Sequence, residues 1–96
     1  MNDLDFLTVA QSEYASAANW YAEQSVIAAD RFATEIETAI DAIRKNPTQY
    51  ARWDDRYRFC LLDKFPYYVA YRRESHKVVI VAVVHTSRDS ADWTNR

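Results

Sequence analysis

His85 and Arg88 stand three residues apart at the end of an apolar run, and Arg58 lies upstream in a second apolar and aromatic segment. A neutral imidazole beside two guanidiniums is a set that could cleave RNA. Attack by a 2′-hydroxyl needs a proton acceptor, donors for the charge growing on phosphorus, and a proton for the leaving oxygen. Arg58, His85 and Arg88 are therefore the candidate catalytic residues. His85 and Arg88 also have structural readings. A histidine closing a buried strand is more often held by hydrogen bonds than used as a base, and Arg88 has Asp89 and Asp92 close by as ion-pair partners.

Other chemistries find less support. His76 and His85 with the lone Cys60 make no recognisable ligand set, so no metal and no cofactor are expected. Cys60 lies in an apolar stretch two residues from Arg58 and reads as a small core hydrophobe, not an activated thiolate. The chain has 0 glycines, which excludes phosphate loops and dinucleotide fingerprints, where backbone must approach phosphate without a Cβ. One cysteine forms no internal disulfide, no apolar run is long enough for a membrane, and Met1 to Asp5 lacks the look of a signal peptide. A cytoplasmic protein with no membrane partner is expected.

Charge is divided along the chain. Residues 1–51 hold eight acids (Asp3, Asp5, Glu13, Glu23, Asp30, Glu35, Glu37, Asp41) against three bases (Arg31, Arg44, Lys45), a balance of −5. From Arg52 onward nine bases face six acids, a balance of +3, so a surface for a polyanion or an acidic partner belongs to the second half. That excess is modest beside dedicated nucleic-acid binders.

The elements that must position these residues follow from length and periodicity. With 96 residues, 49% of them apolar and 15% aromatic, residues 1–96 are expected to form one domain around one core. Leu4 to Thr8 reads as an edge strand. Thr8 with Gln11 has the form of a capping box, with Ser12 as a later start. Tyr14, Ala17, Ala18 and Tyr21 share one face of a helix over about Val9–Gln24. Ala29, Phe32, Ala33, Ile36, Ile40 and Ile43 share one over about Val26–Lys45, which Asn46-Pro47 stops. The two helices should pair as a hairpin across Ser25. Arg58–Leu62, Tyr67–Arg72 and Val78–His85 read as consecutive antiparallel strands. The last is almost unbroken in apolar character, hence covered on both faces and central. The fold class is α+β: an N-terminal strand and an α-helical hairpin packed on a small antiparallel β-sheet.

Read in order, Trp20-Tyr21, Arg31-Phe32, Ile43-Arg44-Lys45-Asn46-Pro47, Tyr57-Arg58, Lys64-Phe65-Pro66-Tyr67-Tyr68-Val69-Ala70-Tyr71, Val81-Ala82-Val83-Val84-His85, Ser87-Arg88, Trp93 and Arg96 resemble the RelE/ParE toxin superfamily over nearly the whole chain. The resemblance implies a type II toxin of the kind tied to plasmid stabilisation, neutralised by a cognate antitoxin. Two targets follow from it: ribosome-dependent mRNA cleavage, or poisoning of DNA gyrase as in the ParE branch. A third implied state is a non-toxic partner of the antitoxin in a repressor complex, where promoter DNA is contacted only through the antitoxin. In ribonucleolytic relatives an arginine occupies the position that Tyr68 takes here. With Lys45, Lys64 and Lys77 the only lysines, Tyr68 moves the reading towards a ParE-like binding toxin that inhibits gyrase.

The antitoxin surface is expected on exposed members of Trp20, Tyr21, Tyr68 and Tyr71, with Arg72 and Arg73 as rim charges. At least one of Tyr67, Tyr68 and Tyr71, which alternate in and out on a strand, is expected to pack under the helices, and packing is the alternative for Trp20, Tyr21 and Trp93.

Overall fold

The computed structural model describes residues 2–88 and 90–96. Asp3–Phe6 forms β1, Thr8–Gln24 α1 and Val26–Lys45 α2. Ser25 alone separates the helices and serves both. Its N–H donates to Tyr21 O at 2.8 Å, closing α1, while its Oγ accepts from Ala28 N at 3.3 Å and caps α2. Arg44 and Lys45 in the last turn of α2 suit the negative end of its dipole before Asn46-Pro47 ends it.

The expected capping box at Thr8 does not form. Leu7 is the N-cap and no side chain caps the helix, because the chain passes from strand to helix without a break. Leu7 N is still bonded to Ile80 O at 3.1 Å when the first helical turn begins, and Gln11 Nε2 donates to Phe6 O at 2.8 Å instead.

Ala51–Arg52 (β2), Tyr57–Leu61 (β3), Tyr67–Glu74 (β4) and Lys77–His85 (β5) complete a five-stranded sheet ordered β1-β5-β4-β3-β2. Strands β2 to β5 pair antiparallel, whereas β1 pairs parallel with β5 through Asp3↔Lys77 to Phe6↔Ile80. The sheet is thus mixed, not purely antiparallel. The chain between β1 and β5 is long enough to impose no direction on the pair, unlike a two-residue hairpin. The hairpin between β4 and β5 turns at Ser75-His76, and without glycine Ser75 itself takes the left-handed conformation at φ 52°.

Strand β5 is covered on both faces, as its apolar run predicts: Val78 to Val84 are all buried. On one face Val78, Ile80 and Val83 meet Ala10, Ala17, Phe32, Ile36 and Ile43 of the helices. On the other, Val79, Val81, Ala82 and Val84 lie under Tyr57, Tyr68 and Trp93, the last brought over by a short 3₁₀ helix at Asp92–Asn95. Phe32, Ile36 and Ile43 are fully buried, and each contributes about 1.5–3 kcal/mol of burial free energy.

Adjacent Val81 and Ala82 face the same way because β5 carries a bulge. Ala70 pairs with Ala82 but Tyr71 pairs with Ile80, so Val81 is the extra residue. Strict alternation from Val78 would turn His85 to the Trp93 face. The bulge turns it to the helix face.

Candidate functional site

That rotation makes a groove between α1 and the adjoining ends of β4 and β5, about 460 Å³, with Trp20, Tyr67, His85 and Arg88 on its walls and Ser16 and Ala17 beneath. His85 and Tyr67 are register partners whose rings meet edge-on at 5.0 Å. Ser87 N donates to His85 Nδ1 at 3.0 Å, with Ser87 Oγ 2.7 Å from the same nitrogen. Since Nδ1 accepts, the neutral ring carries its proton on Nε2 and offers a donor, not a base.

Arg88 is held at the groove's edge by Glu13 at 3.6 Å and Asp92 at 3.5 Å, while Asp89 lies outside the described residues. Glu13 is the centre of this corner. Its Oε1 accepts from Val83 N at 3.1 Å and from Arg96 Nη1 at 2.9 Å, and its Oε2 from Arg96 Nη2 at 3.1 Å. Arg96 Nη1 also donates to Val81 O at 2.9 Å. β1 ends at Phe6↔Ile80, so the outer edge of β5 beyond it has no strand beside it, and there one ion pair serves both Val81 O and Val83 N.

Arg58 does not join His85 and Arg88. It faces Tyr71 across β3 and β4, whereas His85 faces Tyr67. Four residues and two strand spacings put the backbones roughly 16 Å apart. Arg58 Nη1 donates to Tyr50 O at 2.7 Å. The three candidates for RNA cleavage are therefore not one constellation.

Of the four expected aromatic anchors, Trp20 is 56% exposed. Tyr21 is half-buried among Phe32, Phe65 and Tyr67, with Trp20 edge-on at 5.0 Å, and burial raises its phenol pKa. Tyr68 and Tyr71 are core residues at 7% and 1% exposure, which corrects their place among exposed anchors. The pleat sends Tyr71 under the helices, where its hydroxyl donates to Pro47 O at 2.6 Å. It sends Tyr68 to the other face, where its oxygen accepts from Trp93 Nε1 at 3.1 Å. Arg72 is tied to Glu74 at 2.7 Å and to Arg96 O at 3.0 Å; Arg73 is exposed.

The face opposite the helices is closed by aromatic rings. Trp53 stacks on Tyr68 at 5.9 Å and meets Trp93 at 5.0 Å, and Tyr57 meets Trp93 at 5.2 Å. Cys60 is buried, and burial pushes its thiol pKa up, keeping it protonated. Among the described residues no three His, Cys, Asp or Glu side chains gather as metal ligands would, and no helix is long and apolar enough to cross a membrane.

The family model of the ParE toxin of type II toxin-antitoxin system, parDE, matches residues 4–90. The chain belongs to the ParE toxin family. A solved structure, the chromosomal ParDE TA system from P. aeruginosa, superposes with a TM-score of 0.71 at 14% identity, covering 88% of this chain and 96% of that one. At that identity the likeness is one of fold. No curated protein matches the chain by sequence. In this ParE family member the two-helix, mixed-sheet α+β architecture is thus the shared scaffold. Glu13, Trp53 and the bulge are features that sequence reading missed. Glu13 is one of eight acids in the first half of the chain, and nothing local marks the bulge inside a uniform Val-rich strand.

Proposed function

We propose that this ParE family member is a binding toxin that arrests growth by inhibiting DNA gyrase in the cytoplasm, and that a cognate antitoxin silences it by seating in the Trp20–His85 groove. The observation that carries this reading is the dispersal of the catalytic candidates. His85 offers a donor, Arg88 is neutralised by Glu13 and Asp92, Arg58 sits at the other end of the sheet, and the face where Tyr68 lies is filled with aromatic rings. A partner surface is the better use of the groove. Trp20 gives it an exposed indole, Tyr67 and His85 give it ring edges, and an amphipathic segment laid between α1 and the end of β5 would bury all three.

Induced expression of the chain alone is the test. Growth arrest with linearised DNA, together with loss of supercoiling by purified gyrase on addition of the purified chain, supports the reading. Ribosome-dependent mRNA cuts would replace it with a ribonuclease, and unimpaired growth with a non-toxic antitoxin partner. Co-expression of the neighbouring gene should restore growth.

A further inference from the structure

At the end of the sheet away from the Trp20–His85 groove, a cleft of about 370 Å³ is lined by Arg52, Arg56, Arg58, Arg72 and Arg73. Three strands and one turn converge to make it: β2 brings Arg52, β3 Arg58, β4 Arg72 and Arg73, and the β2–β3 turn brings Arg56. Two aspartates, Asp54 and Asp55, share the lining, and Glu74 pairs with Arg72. Five bases against these three acids leave +2 in a chain whose formal charge is −2.

The acids do little to neutralise the arginines. Asp54 Oδ1 accepts from the backbone N–H of Arg56 and of Tyr57, at 2.8 and 2.9 Å, and fixes the turn. Asp55 meets Arg52 through its backbone carbonyl at 3.5 Å. Among the described residues Arg52, Arg56, Arg58 and Arg73 form no ion pair, although Arg56 rests over the Tyr57 ring at 5.4 Å. Like charges gathered around one concavity raise the local potential and draw in an anion.

We infer that this cleft binds a nucleic-acid backbone, with Arg52, Arg56 and Arg73 as its phosphate contacts. One feature favours that occupant. All the bases are arginines, whose planar fork matches two phosphate oxygens at once. Trp53 turns to the opposite face against Tyr68 and Trp93, so the cleft offers charge without a stacking ring and takes the sugar-phosphate backbone. This departs from the expectation that DNA is reached only through the antitoxin. The inference stands apart from the gyrase reading, since the cleft and the groove lie at opposite ends of β4.

Fluorescence anisotropy of the purified chain with a labelled single-stranded oligonucleotide and its duplex tests the inference at 50 mM and 200 mM salt. Three exposed guanidiniums predict a slope of log K on log salt of about −2 to −3. The triple variant Arg52→Ala/Arg56→Ala/Arg73→Ala should bind at least tenfold more weakly, while Lys45→Ala on α2 should bind as the parent does. Arg73→Gln alone, at an exposed position that tolerates change, should reduce the slope by about 1 and decides the matter if the triple variant does not fold. Absence of binding at 50 mM salt, equal binding by Arg73→Gln with an unchanged slope, or binding of labelled poly-glutamate by a chain that ignores both oligonucleotides would overturn the inference. The last result would point to an acidic peptide.

Discussion

Glu13 on α1 and Arg96 in the last turn, 83 residues apart, share two hydrogen bonds of 2.9 and 3.1 Å directly over the bulge in β5. Both side chains are less than one-fifth exposed, at 18% and 19%. The pair therefore lies between a surface bridge, worth about 0–1 kcal/mol, and a buried one, whose disruption costs about 3–5 kcal/mol. Glu13→Ala removes the carboxylate from Arg96, Arg88 and Val83 N together and should lower stability by about 2–4 kcal/mol in urea unfolding. Hydrogen exchange should show the Val83 amide losing its protection. An amide that stays protected would mean that the bulge is held by something else.

Tyr68 and Trp93 form the matching contact on the opposite face. Tyr68→Phe leaves the indole N–H of Trp93 buried without an acceptor and should cost about 1–3 kcal/mol. Trp93→Ala opens a cavity against Tyr57 and Val79 and should cost about 3–5 kcal/mol. Thermal melts followed by near-ultraviolet circular dichroism check both, and the phenylalanine variant should be the milder.

Stability should fall in alkali, and Tyr71 gives the sign. Burial pushes its phenol up to about 12 from an ordinary 10.0, with Arg58 partly opposing the rise. The folded state thus holds the proton more tightly than the unfolded chain. Its contribution is complete below pH 10.0 and is lost as pH rises through about 12, up to about 3 kcal/mol in all. Tyr71→Phe should flatten the pH dependence of urea midpoints in that window, at a cost of about 1 kcal/mol at neutral pH for the bond to Pro47 O.

Trp20 separates binding from folding. Because its side chain is 56% exposed, Trp20→Ala should shift unfolding by no more than about 1 kcal/mol. Antitoxin affinity, read by calorimetry, should drop by about 2 kcal/mol or roughly thirtyfold if the indole is an anchor. Unchanged affinity would move the antitoxin away from the groove.

Ser75 holds φ 52° in the β4–β5 turn, a conformation that costs a residue with a Cβ about 1 kcal/mol or more. Ser75→Gly should relieve that cost, offset in part by the greater freedom of glycine in the unfolded chain. A net gain of up to about 1 kcal/mol in urea unfolding is expected.

The sequence by itself determined the elements. Period 3.6 over Tyr14 to Tyr21 and Phe32 to Ile43 makes helices wherever the apolar face finds a cover, and Asn46-Pro47 stops the second by local sterics. The unbroken Val and Ile of β5 required burial on both faces, and the charge division foretold arginines on the sheet half. Which face each side chain takes was a tertiary matter. Tyr68 and Tyr71 read alike along the chain, yet the pleat puts one beneath Trp93 and the other under the helices. The parallel pairing of β1 with β5 depends on strands 74 positions apart, Asp3 with Lys77, and no local pattern encodes it. One extra residue at Val81 turns His85 from the Trp93 face into the groove. Beyond Phe6 the outer edge of β5 has no strand beside it, and only folding brings Glu13 and Arg96 to Val83 N and Val81 O.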